Sequence, residues 1–241
     1  KSIYENQVTI VEAETGAGKS TQLPQYLAEH GYERIIVTEP RILAARNLNR
    51  RTRKEWAARN NEDASDVIGY RTASERDDSG HTKILYCTDG LQLVRELTGI
   101  GVTKKQVLVL DEVHEWNENI EVLVAWAKRR TLDDPNFKVV IMSATIDLGR
   151  LATFFNTKSV ISVPGRTFDV EWHKSDNLTQ EIFNAIDAPE TKNVLVFLPG
   201  KSEIEAVGEI ISQKAQENNI IVLPLHSQLE LDEQQKVFEH Y

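Results

Sequence analysis

The chain has 241 residues, 40% of them hydrophobic and 27% charged, the balance of a folded globular protein rather than a disordered or collagenous one. No apolar run approaches the ~18 residues of a spanning helix, so a membrane protein is not expected. Lys and Arg total 28 against 37 Asp and Glu, a formal charge of −9, which argues against holding nucleic acid by bulk positive charge but leaves room for a local basic track.

In chain order, short apolar runs of strand type alternate with helical stretches. Gln7–Ala13 is expected to be a buried strand, Lys19–His30 a helix, Arg34–Thr38 a strand and Arg41 to about Arg59 a long helix. Strands at Val67–Arg71 and Lys83–Cys87 follow, then helix Gly90–Leu97, strand Gln106–Asp111, helix Ile120–Arg129 and strand Lys138–Met142. Helix Leu148–Phe155 and strand Ser159–Val163 complete a set of βαβ units, the pattern of an α/β fold around a mostly parallel sheet. Pro164-Gly165-Arg166 marks a turn, after which the alternation restarts. Strands are expected at Asp169–His173, Asn193–Leu198 and Ile220–Leu223, with helices at Leu178–Ile186, Lys201–Glu217 and Asp232–Tyr241. This second stretch is short for a self-sufficient α/β layer. The lone cysteine, Cys87, allows no intrachain disulfide, which favours a reducing intracellular setting, cytoplasmic or nuclear. The chain opens on Lys1 and its one methionine is Met142, so a processed product or a piece of something longer is expected.

Ala13-Glu-Thr15-Gly16-Ala17-Gly18-Lys19-Ser20-Thr21 lies between an expected strand and an expected helix, the context in which a glycine-rich loop cradles phosphate. Gly16 and Gly18 let the backbone curl so that successive N–H groups face phosphate oxygens, aided by the helix N-terminus. Lys19 would bridge the β- and γ-phosphates of ATP and Ser20 would offer its hydroxyl to Mg2+. The strict pattern wants glycine at position 13, where this chain has Ala13. Such a loop needs an acidic partner at the C-terminal edge of a nearby strand. Strand Gln106–Leu110 ends in Asp111-Glu112-Val113-His114, so Asp111 would hold the metal and Glu112 would polarise the attacking water. Strand Lys138–Met142 ends in Ser143-Ala144-Thr145, small hydroxyls at the same edge. A further candidate surface is Arg41–Arg59, which carries seven basic residues against Glu55, with Arg46, Arg50 and Arg53 spaced for one helical face. Its alternative is a solvated cationic face.

GAGKST, DEVH and SAT, in this order and at these intervals, resemble the DEAH-box group of superfamily 2 RNA helicases. Thr38-Glu39-Pro40-Arg41 is similar to that family's motif Ia, and Thr88-Asp89-Gly90 with Arg95-Glu96 to motif Ib. Phe197-Leu-Pro-Gly200-Lys201-Ser-Glu203-Ile-Glu205 resembles motif IV, and Leu225-His226-Ser227-Gln-Leu229 the segment after it. Departures are Val113 in place of alanine, Glu115-Trp116-Asn117 in place of Glu-Arg-Ser, and Ile42 in place of a second arginine.

The resemblance implies a RecA-like P-loop domain over residues 1–165 and the N-terminal part of a second RecA-like α/β domain over 166–241. It implies an ATP and Mg2+ centre built from Lys19, Ser20, Asp111 and Glu112, with Arg51 stacking on the nucleobase. His114, Ser143 and Thr145 would couple that centre to the second domain and to RNA. Arg41 and Thr88, with Asp89, Gly90, Gly200 and Lys201, would meet the sugar-phosphate backbone, a contact that carries no sequence information. The implied activity is ATP-dependent RNA remodelling with protein cofactors of unknown identity. Family arginine fingers, which are worth ~10³–10⁵ in rate, have no counterpart in this sequence, so the chain alone is expected to bind nucleotide and hydrolyse it poorly. Two alternatives stay open: a nucleotide-gated RNA- or protein-binding module without unwinding, and a DNA helicase, since the contacts that separate RNA from DNA are not legible here.

Overall fold

The computed structural model of the chain describes residues 1–14, 16–99, 106–144, 148–164 and 169–239. It divides into two units, Lys1–Phe168 and Asp169–Tyr241. The expected residues Thr15, Thr145, Gly165, Arg166 and Tyr241 lie outside the described residues.

The first unit runs α1 (Ser2–Glu5), β1 (Val8–Ala13), α2 (Lys19–Glu29), β2 (Arg34–Glu39), α3 (Ile42–Asn60), β3 (Ile68–Arg71), β4 (Arg76–Asp77) and β5 (Ile84–Thr88). It continues with α4 (Asp89–Leu97), β6 (Gln106–Leu110), α5 (Glu118–Asp133), β7 (Lys138–Ser143), α6 (Leu148–Phe155) and β8 (Val160–Val163). The strands form one sheet in the order β4-β3-β5-β2-β6-β7-β1-β8, parallel except for the β3–β4 pair. Two small elements escaped the sequence pattern: α1, a single turn, and β4, a two-residue edge strand.

Alternation along the strands builds two apolar layers. Val107 and Val109 of β6 and Val140 and Met142 of β7 face a layer shared with Leu27 of α2 and Trp56 of α3. Leu108 and Leu110, with Val139 and Ile141, face the opposite layer, completed by Leu123 and Val124 of α5 and by Leu151 and Phe155 of α6. A strand buried on both faces reads as a continuous apolar run, which is why VLVL and VVIM stood out. Because β1, β6 and β7 run parallel, their C-terminal ends share one edge of the sheet. The chain leaves β1 and crosses β7 and β6 to reach β2, and in α/β sheets ligands bind outside the carboxyl ends of strands so arranged.

In the second unit the described helices are α7 (Leu178–Asp187), α8 (Lys201–Glu217) and α9 (Leu231–Glu239), with α7 packed on α8. The three strands expected at Asp169–His173, Asn193–Leu198 and Ile220–Leu223 are not formed among the described residues. These segments have strand composition but leave Trp172, Leu195, Phe197 and Ile221 exposed. A strand exists only through a hydrogen-bonded neighbour, and apolar composition does not supply one. Among the described residues no helix is long and apolar enough to cross a membrane.

Candidate active site

β1 delivers the loop that leads into α2. Gly16 and Gly18 take φ of 85° and 75°, the left-handed region that a side chain strains, and Gly18 caps α2. The Ala17 N–H donates to the Glu14 carbonyl (3.2 Å) and so is engaged within the loop. Lys19 and Ser20 open the first helical turn, whose N–H groups have no acceptor inside the helix.

Lys19 reaches across the sheet edge. Its Nζ lies 2.8 Å from Glu112 Oε1, with the two side chains 7% and 25% exposed. Glu112 has φ of 50°, uncommon for a residue with a Cβ and of the kind that gathers at working sites. Its other oxygen lies 3.1 Å from His114 Nε2, and His114 Nδ1 accepts from the Ala144 N–H at 3.4 Å. His114 therefore links the acidic turn after β6 to the end of β7, and Ser143 is fully buried beside that link.

Asp111 is fully buried. Its Oδ1 accepts from the Glu112 N–H (2.8 Å), and Oδ2 has no partner among the described residues. Burial pushes the Asp111 carboxyl above the ordinary carboxylate range, and the nearby Ser20 hydroxyl opposes that rise. Glu39, at the end of β2, is 2% exposed and lies against Asp111. Burial first and the negative Asp111 second hold its carboxyl well above the usual range, and its Oε1 is also buried without a partner among the described residues. The signal for Glu39 was positional: β2 pairs with β6, with Thr38 opposite Leu110.

Other expected residues separate into exposed and supporting groups. Arg41 is 73% exposed and meets Glu115 at 2.9 Å; Arg51 is 70% exposed and bonds Glu55 at 2.9 Å. Glu55 also accepts from Gln22 and Gln25, clasping α3 to α2. Thr88 caps α4 and Gly90 follows in its first turn, where a Cβ would stand 3.2 Å from the Asn119 amide. Asp89 is buried, and its oxygens accept from the Gly90 N–H and the Asn117 amide, so its side chain joins α4 to α5. Arg53 donates to the Ile68 carbonyl (2.7 Å) and to Asp77 (2.8 Å) and so belongs to the β3–β4 edge rather than to a free basic stripe. Thr21 is buried in α2. Gly200 and Lys201, the N-cap and first residue of α8, belong to the second unit.

Residues 1–154 match the DEAD/DEAH box helicase family. Two relatives named "Probable ATP-dependent RNA helicase DHX34", from Homo sapiens and Mus musculus, are each 34% identical over 259 residues that take in 99% of this chain. The chain spans 22% of the length of each.

Proposed function

The chain belongs to the DEAD/DEAH box helicase family, and from that premise we propose that it is the ATP-binding part of an ATP-dependent RNA helicase of the DEAH type. The observation that carries this reading is the meeting of Lys19, Ser20, Asp111 and Glu112 at one sheet edge, reached from two separate strands. Residues 1–165 form the first RecA-like domain in this reading, and 166–241 begin the second.

The residues present fit Mg2+. A buried Asp111 oxygen without a partner, a second such oxygen on Glu39 and the Ser20 hydroxyl are hard oxygen donors in a place where a cation would relieve their desolvation. Magnesium needs only one or two carboxylates when substrate phosphates supply other ligands. Ser20 and Asp111 would hold the ion, which would supply charge neutralisation to the triphosphate. Lys19 exchanges Glu112 for phosphate oxygens, and the amides of Gly18 to Ser20 orient the triphosphate. Glu112, freed of Lys19, aligns the attacking water and takes up its proton, while His114 holds the Glu112 carboxylate from its other oxygen. Through the Ala144 N–H the same histidine links this site to the end of β7.

Arg41, Thr88 and Gly90, with Gly200 and Lys201 of the second unit, serve the nucleic-acid backbone, and Arg51 the nucleobase. ATP and RNA as ligands, together with protein cofactors, are consistent with work inside the cell. Fluorescence anisotropy with RNA and DNA oligonucleotides of one sequence, with and without a non-hydrolysable ATP analogue, tests the reading. RNA binding that responds to nucleotide supports it; preference for DNA, or no binding to either, overturns it.

A further inference from the structure

α2 contains Pro24, four residues after Ser20. Proline has no N–H, so the α-helical donor that the Ser20 carbonyl would receive is missing. The orphaned carbonyl belongs to a residue of the phosphate site, in the first turn of α2. Tyr86 of β5, fully buried, donates its hydroxyl to this oxygen at 2.8 Å. The same hydroxyl lies 2.8 Å from Thr52 Oγ1 on α3, and Thr52 is also fully buried. A carbonyl can only accept, and a phenol has one proton to give. The direction is therefore fixed: Thr52 donates to Tyr86, and Tyr86 donates to Ser20.

We propose that Tyr86 is a positioning residue of the nucleotide site, supplying the hydrogen bond that Pro24 withholds and so fixing the turn that presents Lys19 and Ser20. Thr52 aims the hydroxyl, which ties the register of α3 to the same turn. α3 also carries Arg51, so the nucleobase side and the phosphate side of the site are joined through one chain of three groups, of which Thr52 and Tyr86 are fully buried. The inference rests on the reading of Ser20 as a metal and phosphate residue.

The test compares mant-ATP affinity with and without Mg2+. A general loss of stability leaves that ratio unchanged, whereas a displaced Ser20 lowers it. Tyr86→Phe is expected to reduce the gain from Mg2+ about three- to tenfold, the effect of one buried hydrogen bond. Adding Pro24→Ala returns an N–H to the helix and should restore the gain to within about twofold of wild type. An undiminished gain in Tyr86→Phe, or no recovery in the double variant, overturns the proposal. Should Tyr86→Phe fail to fold, Thr52→Val keeps the phenol and removes its orienting donor; a loss of about two- to threefold supports the proposal and no loss defeats it. Wild-type binding that ignores Mg2+ would instead defeat the underlying site reading, while Mg2+-dependent wild-type binding matched by Tyr86→Phe defeats this inference alone.

Discussion

Replacing Glu112 with Gln should tighten nucleotide binding while removing hydrolysis, two effects of opposite sense from one atom. Lys19 is 7% exposed and its ammonium lies 2.8 Å from Glu112 Oε1. A triphosphate must draw that ammonium away from the carboxylate before it can use it. A hydrogen bond between charged groups contributes ~1.5–3 kcal/mol, and solvent reaches a quarter of the Glu112 side chain, which puts this pair near the lower figure. At 1.4 kcal/mol per decade, loss of the charge should lower the Kd for ATP by about three- to tenfold. Removing the negative carboxylate from beside the phosphates acts in the same sense. Glutamine keeps the shape and meets the φ of 50° no worse than glutamate does. Hydrolysis, measured where turnover is detectable, should fall by ~10²–10⁴, the contribution of a positioned base. Mant-ATP titration and a phosphate-release assay on the same preparation measure both. Binding that weakens in Glu112→Gln, or turnover that survives, would refute the assignment of Glu112 and its exchange with Lys19.

Asn117→Ala should lower stability by about 1–2 kcal/mol in thermal unfolding, because its side chain caps α5 by accepting from the N–H groups of Asn119 and Ile120 and also donates to Asp89; Asn117→Ser should recover most of the loss. Glu96 gives a pH test: burial raises its carboxyl above the usual range, against hydrogen bonds from Gln106 and Gln92. Its contribution is therefore fully present below the unfolded pKa of ~4.3 and is lost as pH rises through the folded value, so wild type should lose stability relative to Glu96→Gln over that window. A wild-type advantage that grows with pH would contradict the sign. Arg41→Glu should leave the melting temperature unchanged, because its pair with Glu115 is largely solvated, yet weaken RNA binding and reduce the salt dependence by about one phosphate contact.

The parts of the site that the sequence displays are those where chemistry forces a local pattern. A backbone that must curl round phosphate needs Gly16 and Gly18, and an apolar strand ending in two acids marks a charged edge on a buried sheet. Glu39 was hidden because its meaning depends on β2 lying beside β6, a neighbour more than 60 residues away in the chain. Tyr86 was hidden for a different reason, since a buried aromatic in a strand looks like core until Pro24 and Ser20 are known to face it. Arg53 fits a helical face by spacing, but the carbonyl of Ile68 claims it. The same limit explains the second unit, where helices α7 and α8 followed their local pattern and the extended segments lacked the partners that make strands. Periodicity reports which face a residue occupies, whereas pairing and ion-pair choice are settled by what the fold brings opposite.

On the proposed reading, the sheet edge that carries the ends of β1 and β6 binds ATP with Mg2+ through Lys19, Ser20 and Asp111. Mant-ATP titration of wild type, Lys19→Ala and Asp111→Asn, each with Mg2+ and with a chelator, tests it most directly. Wild type should bind more tightly with Mg2+, Lys19→Ala should lose about tenfold or more under both conditions, and Asp111→Asn should lose the gain from the metal while keeping metal-free binding. Wild-type affinity with full Mg2+ dependence in both variants would contradict it.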